Sequence, residues 1–247
     1  MGSPFFRFKQ FIVWHDQCAM KVGTDGVLLG AWCPLPNNLP PSSPIRLLDI
    51  GTGSGLITLM LAQRLDVKDK VIEAIDMDPD AIAQAAKNFA LSPWKDNLHA
   101  HHSRLQDWQA EPYNLIVSNP PYFQHSLKNP DSQRATARHT DTLTYKELIT
   151  NALRLLAPNG ILALVLPIEA KAEIIHLATQ HNLFPTHITH VHTKPGKPAK
   201  RILMAFQRHS TLHHTTPHYT SNQPLLHAAK NTNNSQKTST YNPSTNS

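Results

Sequence analysis

Asn119-Pro120-Pro121-Tyr122 brings together an amide, a rigid backbone and an aromatic ring. Two successive prolines fix φ and remove two amide donors, which leaves carbonyls turned toward a cleft. The Asn119 side-chain oxygen and the Pro120 carbonyl can each accept one N–H hydrogen bond from a planar amine. Such an NH2 has a delocalised lone pair and is a poor nucleophile. Accepting its hydrogen bonds draws electron density onto nitrogen and aims the lone pair at an electrophile. Tyr122 can stack on the planar group, and stacking on a base is worth ~1–3 kcal/mol. The chemistry that fits is attack by an exocyclic amine on an electrophile, driven by positioning and charge arrangement rather than by a strong base.

A second stretch supplies a ligand loop. Of nine glycines in 247 residues, six fall in two groups: Gly23, Gly26 and Gly30, then Gly51, Gly53 and Gly55. The second group follows an apolar run, Leu47-Leu48-Asp49-Ile50, and precedes an amphipathic helix over 56–65. Glycines there permit unusual dihedrals and let a ligand touch the backbone. The dinucleotide fingerprint needs glycine at position 56, which is Leu56. The next apolar run, 71–75, ends at Asp76, whose carboxylate can accept both hydrogen bonds of a ribose diol. Asp78 competes for that role, but it precedes Pro79 as a helix N-cap, so the ribose goes to Asp76.

These residues need a frame. Strands are expected at 46–50, 71–75, 97–102, 113–118, 161–167, 186–193 and 201–206, and the short apolar runs read as buried parallel strands. Helices lie between them. One follows Pro79 with an apolar stripe of Ala81, Ile82, Ala85, Ala86 and Phe89. Another opens on a Thr144/Glu147 capping box and is expected to stop at Asn159-Gly160. The alternation predicts an α/β fold: a doubly wound, mostly parallel, seven-stranded sheet, Rossmann-like, with ligands at the carboxyl ends of the strands.

The spacing Asp49-x-Gly51-x-Gly53-x-Gly55 resembles the first motif of class I S-adenosylmethionine-dependent methyltransferases. That resemblance implies S-adenosylmethionine as cofactor, held by Asp49, Gly51, Gly53, Gly55, Asp76 and Asn119. It also implies Asp107 near the adenine amino group. NPPY recurs in adenine-N6, ribosomal RNA guanine-N2 and protein glutamine-N5 methyltransferases, and does not choose among them. The N-terminal stretch FRFKQFIVWHDQCAMKVGTDGVLLGAW (6–32) is more particular. With NPPYF, Ala137-Arg138-His139 and KPGKPAKRILMAF (194–206), it resembles the bacterial tRNA1(Val) adenine-N6 methyltransferase family over residues 5–208. The resemblance implies transfer to N6 of an adenosine beside the anticodon, with Asn119, Pro120 and Tyr122 at the target base. It implies that Thr24 and Asp25 lie over the cofactor.

Composition and charge set the outer bounds. A formal net charge of +6 suits a polyanionic partner. Lys128, Arg134 and Arg138 after NPPY, and Lys194, Lys197, Lys200 and Arg201 in a later loop, are expected to meet tRNA phosphates. Phe123 is expected to hold a flipped base. No window reaches the ~18 apolar residues of a membrane helix. The start MGSPFFRFKQ lacks a signal pattern, and Phe6 breaks a myristoylation pattern. Cys18 and Cys33 form no metal spacing and read as reduced thiols of a cytoplasmic protein. No metal is expected at His187, His190 and His192, His15 has no assigned role, and no obligate protein partner is indicated. Residues 1–44 read as a covering segment with a Pro-rich linker at 34–44, residues 45–210 as the catalytic domain, and 211–247 as a disordered tail.

Overall fold

The computed structural model describes residues 3–18, 21–36, 44–121 and 143–208. The elements, in chain order, are β1 (Phe5–Arg7), β2 (Ile12–Trp14), α1 (Thr24–Trp32), β3 (Ile45–Ile50), α2 (Leu56–Arg64), β4 (Lys70–Asp76) and α3 (Pro79–Ala90). There follow β5 (Leu98–His102), β6 (Tyr113–Ser118), α4 (Tyr145–Leu155), β7 (Leu156–Pro167), α5 (Lys171–Gln180), β8 (Phe184–His192) and β9 (Ala199–Gln207). Seven strands form one sheet in the order β5-β4-β3-β6-β7-β9-β8, and β1 pairs with β2 as a separate hairpin.

Strand alternation divides the core into two layers. Leu47, Ile72, Leu115, Val117, Ala163 and Leu203 face α1, α2 and α3. Leu48, Ile75, Ile116, Leu162, Ile202 and Phe206 face α4 and α5. Most are fully buried, and each such side chain contributes roughly 1.5–3 kcal/mol. With helices on both faces, β3, β4, β5, β6 and β7 run parallel, so their carboxyl ends share one edge.

Three expectations are corrected. First, β9 pairs antiparallel with both β7 and β8, so β9 alone runs against the direction of the other six strands. The β8–β9 connection is a hairpin of about six residues, 193–198, far too short for a crossover. β8 is also a sheet edge with alternating exposure rather than a buried strand. Second, α4 ends at Leu155, and Asn159-Gly160 lies inside β7. Pro158 disfavours the helical region for Ala157, so the chain extends before Asn159 is reached. Third, the buried face of α3 is Ala81, Gln84, Ala85, Asn88 and Phe89, whereas Ile82 is only half-buried and Ala86 exposed. Two amides, Gln84 and Asn88, thus share the buried face in place of Ile82 and Ala86.

The end signals that set the other helices are present. The Asp78 side chain accepts the Asp80 N–H at 2.9 Å with Pro79 at the first helical position. Thr144 and Glu147 form a reciprocal capping box.

Candidate active site

β3 delivers the chain into the glycine loop at the carboxyl edge. The Gly51 and Thr52 N–H groups both donate to the Ile75 carbonyl, at 2.9 and 3.1 Å, which folds the loop toward the end of β4. Gly51, Gly53 and Gly55 have φ of 69°, 54° and 79°, a region L side chains rarely adopt. Gly55 also has a packing reason: an added Cβ would sit 2.4 Å from Cε1 of Phe89. At Gly51 and Gly53 an added Cβ would meet nothing within 4 Å. That bare backbone faces open space, a cradle for a ligand.

Asp49 lies behind this loop rather than in the cavity wall. It is completely buried. Its Oδ2 accepts Thr52 Oγ1 at 2.7 Å, Thr58 Oγ1 at 2.8 Å and Thr58 N–H at 3.3 Å. Oδ1 has no partner among the described residues. Burial pushes its carboxyl up to about 6, although the threonine donors pull the other way. The carboxylate therefore braces both ends of the turn into α2.

Asp76 lines the cavity beside Gly51 and Gly53. Its Oδ2 accepts the Gly53 N–H at 2.9 Å and its Oδ1 the Asp78 N–H at 3.0 Å. Two amides orient the carboxylate, and each oxygen keeps lone-pair capacity for a diol. Asp78 reaches the same cavity while capping α3. Asp107 is exposed and lines an adjoining depression with His102, Ser103 and Arg104. Among the residues next to it, Arg104, Leu105 and Gln106 line the main cavity.

The opposite wall comes from β6. Ser118, Asn119, Pro120 and Pro121 line the same cavity as Gly51, Gly53 and Asp76. Ser118 is buried, and its hydroxyl donates to the Ile50 carbonyl at 2.9 Å. Tyr122, Phe123, Lys128, Arg134 and Arg138 lie outside the described residues, as do the tail and residues 37–43 of the linker.

Thr24 and Asp25 open α1 and are not among the cavity-lining residues. Asp25 Oδ2 accepts Arg201 Nε at 2.9 Å. Arg201, expected at a phosphate, is thus tied to α1. Lys194, Lys197 and Lys200 are exposed on the β8–β9 hairpin. Arg201 stands opposite Pro167, the last residue of β7, which puts this turn at the edge that carries the cavity. Cys18 is among the wall residues that gave no sequence signal. Burial, then the charges of Asp76, Asp78 and Asp16, push its thiol up to about 11, so it stays protonated at neutral pH. Among the described residues no group of three or more His, Cys, Asp or Glu could hold a metal ion, and no helix is long and apolar enough to cross a membrane.

Residues 34–183 match the family model for the methyltransferase small domain. Fold likeness agrees: P. horikoshii TYW2 aligns with a TM-score of 0.58 and 13% identity, over 85% of this chain and 74% of that one. A protein of Agrobacterium tumefaciens described as a predicted O-methyltransferase gives 0.53 and 18% identity, over 74% and 80%. A doubly wound sheet with a bare glycine cradle and an acidic residue after the second sheet strand makes this a class I methyltransferase. S-adenosylmethionine is its methyl donor, and Gly51, Gly53, Asp76 and Asn119 fit that group. Among curated proteins, the tRNA1(Val) (adenine(37)-N6)-methyltransferase of Phocaeicola vulgatus is 48% identical over 208 residues, 84% of this chain and 85% of its own. That of Aeromonas salmonicida is 48% identical over 203 residues, 82% and 83%. The chain belongs to the tRNA1(Val) (adenine(37)-N6)-methyltransferase family.

Proposed function

We propose that this chain transfers a methyl group from S-adenosylmethionine to N6 of the adenosine at position 37, beside the anticodon, in tRNA1(Val). The observation that carries this reading is one cavity with two walls: Gly51, Gly53 and Asp76 on one side, Asn119 and Pro120 on the other. When bound, S-adenosylmethionine supplies an electrophilic sulfonium methyl. Backbone at Gly51 and Gly53 accommodates the donor at close range, and Asp76 takes its ribose diol. Asn119 and the Pro120 carbonyl each accept one N–H of the adenine amine, which orients the nitrogen lone pair along the line of transfer. As the nitrogen–carbon bond forms, the methyl–sulfur bond breaks and S-adenosylhomocysteine leaves; the nitrogen becomes acidic only then, so its proton leaves to solvent without a dedicated base. Tyr122 stacks on the base, and Phe123 holds it out of the anticodon loop. Lys194, Lys197 and Lys200, with Lys128, Arg134 and Arg138, contact phosphates. Such a protein acts in the cytoplasm, where its tRNA is.

The test is labelling of total tRNA from a strain lacking the gene, with radiolabelled S-adenosylmethionine and purified protein. Nucleoside mass spectrometry should find N6-methyladenosine in a single tRNA species. No N6-methyladenosine in that tRNA, or label instead in ribosomal RNA as N2-methylguanosine or in protein as methylglutamine when ribosomes and an extract of the same strain are offered, would overturn the reading.

A further inference from the structure

Two buried amides on α3 hold the N-terminal segment against the glycine loop. Asn88 is 1% exposed and Gln84 not at all. Asn88 Oδ1 accepts the Trp14 N–H at 3.0 Å, while its Nδ2 donates to the Trp14 carbonyl and to the Ser54 carbonyl, each at 2.8 Å. The oxygen and both protons of one amide are therefore all engaged. One helical turn earlier, Gln84 Oε1 accepts the Gln17 N–H at 3.2 Å. The segment so held carries Cys18, which stands in the cavity wall. His15 fastens it from the other side, with Nε2 2.9 Å from the Ser3 carbonyl and Nδ1 accepting the Val22 N–H at 3.2 Å. A neutral imidazole carrying its proton on Nε2 satisfies both partners.

We infer that Asn88 is a positioning residue that couples cofactor binding on the glycine loop to the seating of residues 14–18, the segment that places Cys18 in the cavity wall. Its Nδ2 joins the Ser54 carbonyl, inside the loop, to the Trp14 carbonyl, at the end of β2. A ligand resting on Gly51 and Gly53 orders the loop, which fixes the Asn88 amide and with it Trp14. The coupling is reciprocal: a seated segment favours the loop conformation that receives the ligand. Gln84 holds the same segment with no hydrogen bond to the loop, so the two amides separate coupling from simple support. The inference rests on the cofactor reading of the cavity and is independent of which RNA is modified.

Hydrogen exchange of the full chain, with and without S-adenosylhomocysteine, tests it. In the unmodified protein, peptides covering residues 12–18 should exchange about tenfold more slowly when ligand is saturating. In Asn88→Ala that ligand effect should fall below about twofold, while the loop at 51–55 still gains protection. The KM for S-adenosylmethionine should rise about tenfold with kcat within about threefold, a split that a general loss of stability does not produce. Gln84→Leu should loosen the segment yet leave its response to ligand intact. If Asn88→Ala does not fold, Asn88→Asp, which keeps the acceptor for Trp14 N–H, takes its place. A wild-type segment indifferent to ligand, or a full response retained in the Asn88 variants, would overturn the coupling. A chain in which ligand protects neither loop nor segment would fail the cofactor reading itself, and the coupling with it.

Discussion

The Ser118 hydroxyl donates to the Ile50 carbonyl at 2.9 Å, joining the last residue of β6 to the last residue of β3. Each of these residues stands immediately before a wall of the cavity: Gly51 follows Ile50, and Asn119 follows Ser118. The bond therefore sets the spacing between donor and acceptor. Ser118→Ala should cost about 1 kcal/mol of stability in urea titration. It should also lower kcat more than it raises the KM for S-adenosylmethionine, because the cradle survives while the alignment loosens.

Asn119→Ala removes an acceptor from the amine without touching the glycine loop. Calorimetry should find S-adenosylhomocysteine binding weakened only a few-fold, because Gly51, Gly53 and Asp76 remain, with methyl transfer reduced by about 10²–10³. Turnover left unchanged would remove Asn119 from the mechanism.

Gly53→Ala and Gly55→Ala should fail differently. Both positions carry positive φ, so each substitution is strained by about 1 kcal/mol. At Gly55 the new methyl also meets Phe89, and the loss should reach about 3 kcal/mol or more, seen as a lower urea midpoint. At Gly53 the methyl enters open space intended for the ligand. The melting temperature should change little, while affinity for S-adenosylhomocysteine falls at least about tenfold.

Asp49 gives the fold a pH dependence. Its carboxyl, raised by burial to about 6, holds a proton more tightly in the folded chain than in the unfolded one, where 3.8 applies. Stability from this group is full below pH ~4 and is lost as pH rises through about 6, amounting to roughly 3 kcal/mol by pH 7. Asp49→Asn keeps an acceptor for Thr52 and Thr58 but cannot titrate. Urea midpoints measured from pH 4 to 7 should fall less steeply in this variant than in wild type.

The three exposed lysines of the β8–β9 hairpin should act through phosphates alone. Replacing Lys194, Lys197 and Lys200 by Ala should reduce the slope of log affinity for tRNA against log salt by about 2. S-adenosylhomocysteine binding should be unaltered. An unchanged slope would place the tRNA elsewhere.

The parts legible in the sequence are those encoded locally. Asp49 to Gly55, Asp76 and Asn119 to Pro121 announce themselves through residue type at fixed spacing after apolar runs, and the sheet brings all three to one edge. Asp78-Pro79 and the Thr144/Glu147 box mark helix starts for the same reason. What was hidden depends on partners distant in sequence. An apolar run such as 201–206 carries no mark of strand direction, so the antiparallel β9 could not be seen. Asn88 and Gln84 look like polar positions on a solvent face; only the arrival of β2, 74 residues away in sequence from Asn88, makes them buried hinges of hydrogen bonding. Arg201 similarly reads as a free cation until Asp25, 176 residues distant, is beside it.

β8 ends the sheet, and its outer edge would ordinarily offer a row of backbone donors and acceptors to any passing strand. Pro185 has no N–H to offer, and the strand's register is broken between Pro185 and His187 and again between Val191 and His192. Only His187 to Val191 keeps a regular register, which leaves a short stretch for any strand from a second copy. Pro185 and the two register breaks thus shorten the stretch of β8 that a strand of another chain could pair with.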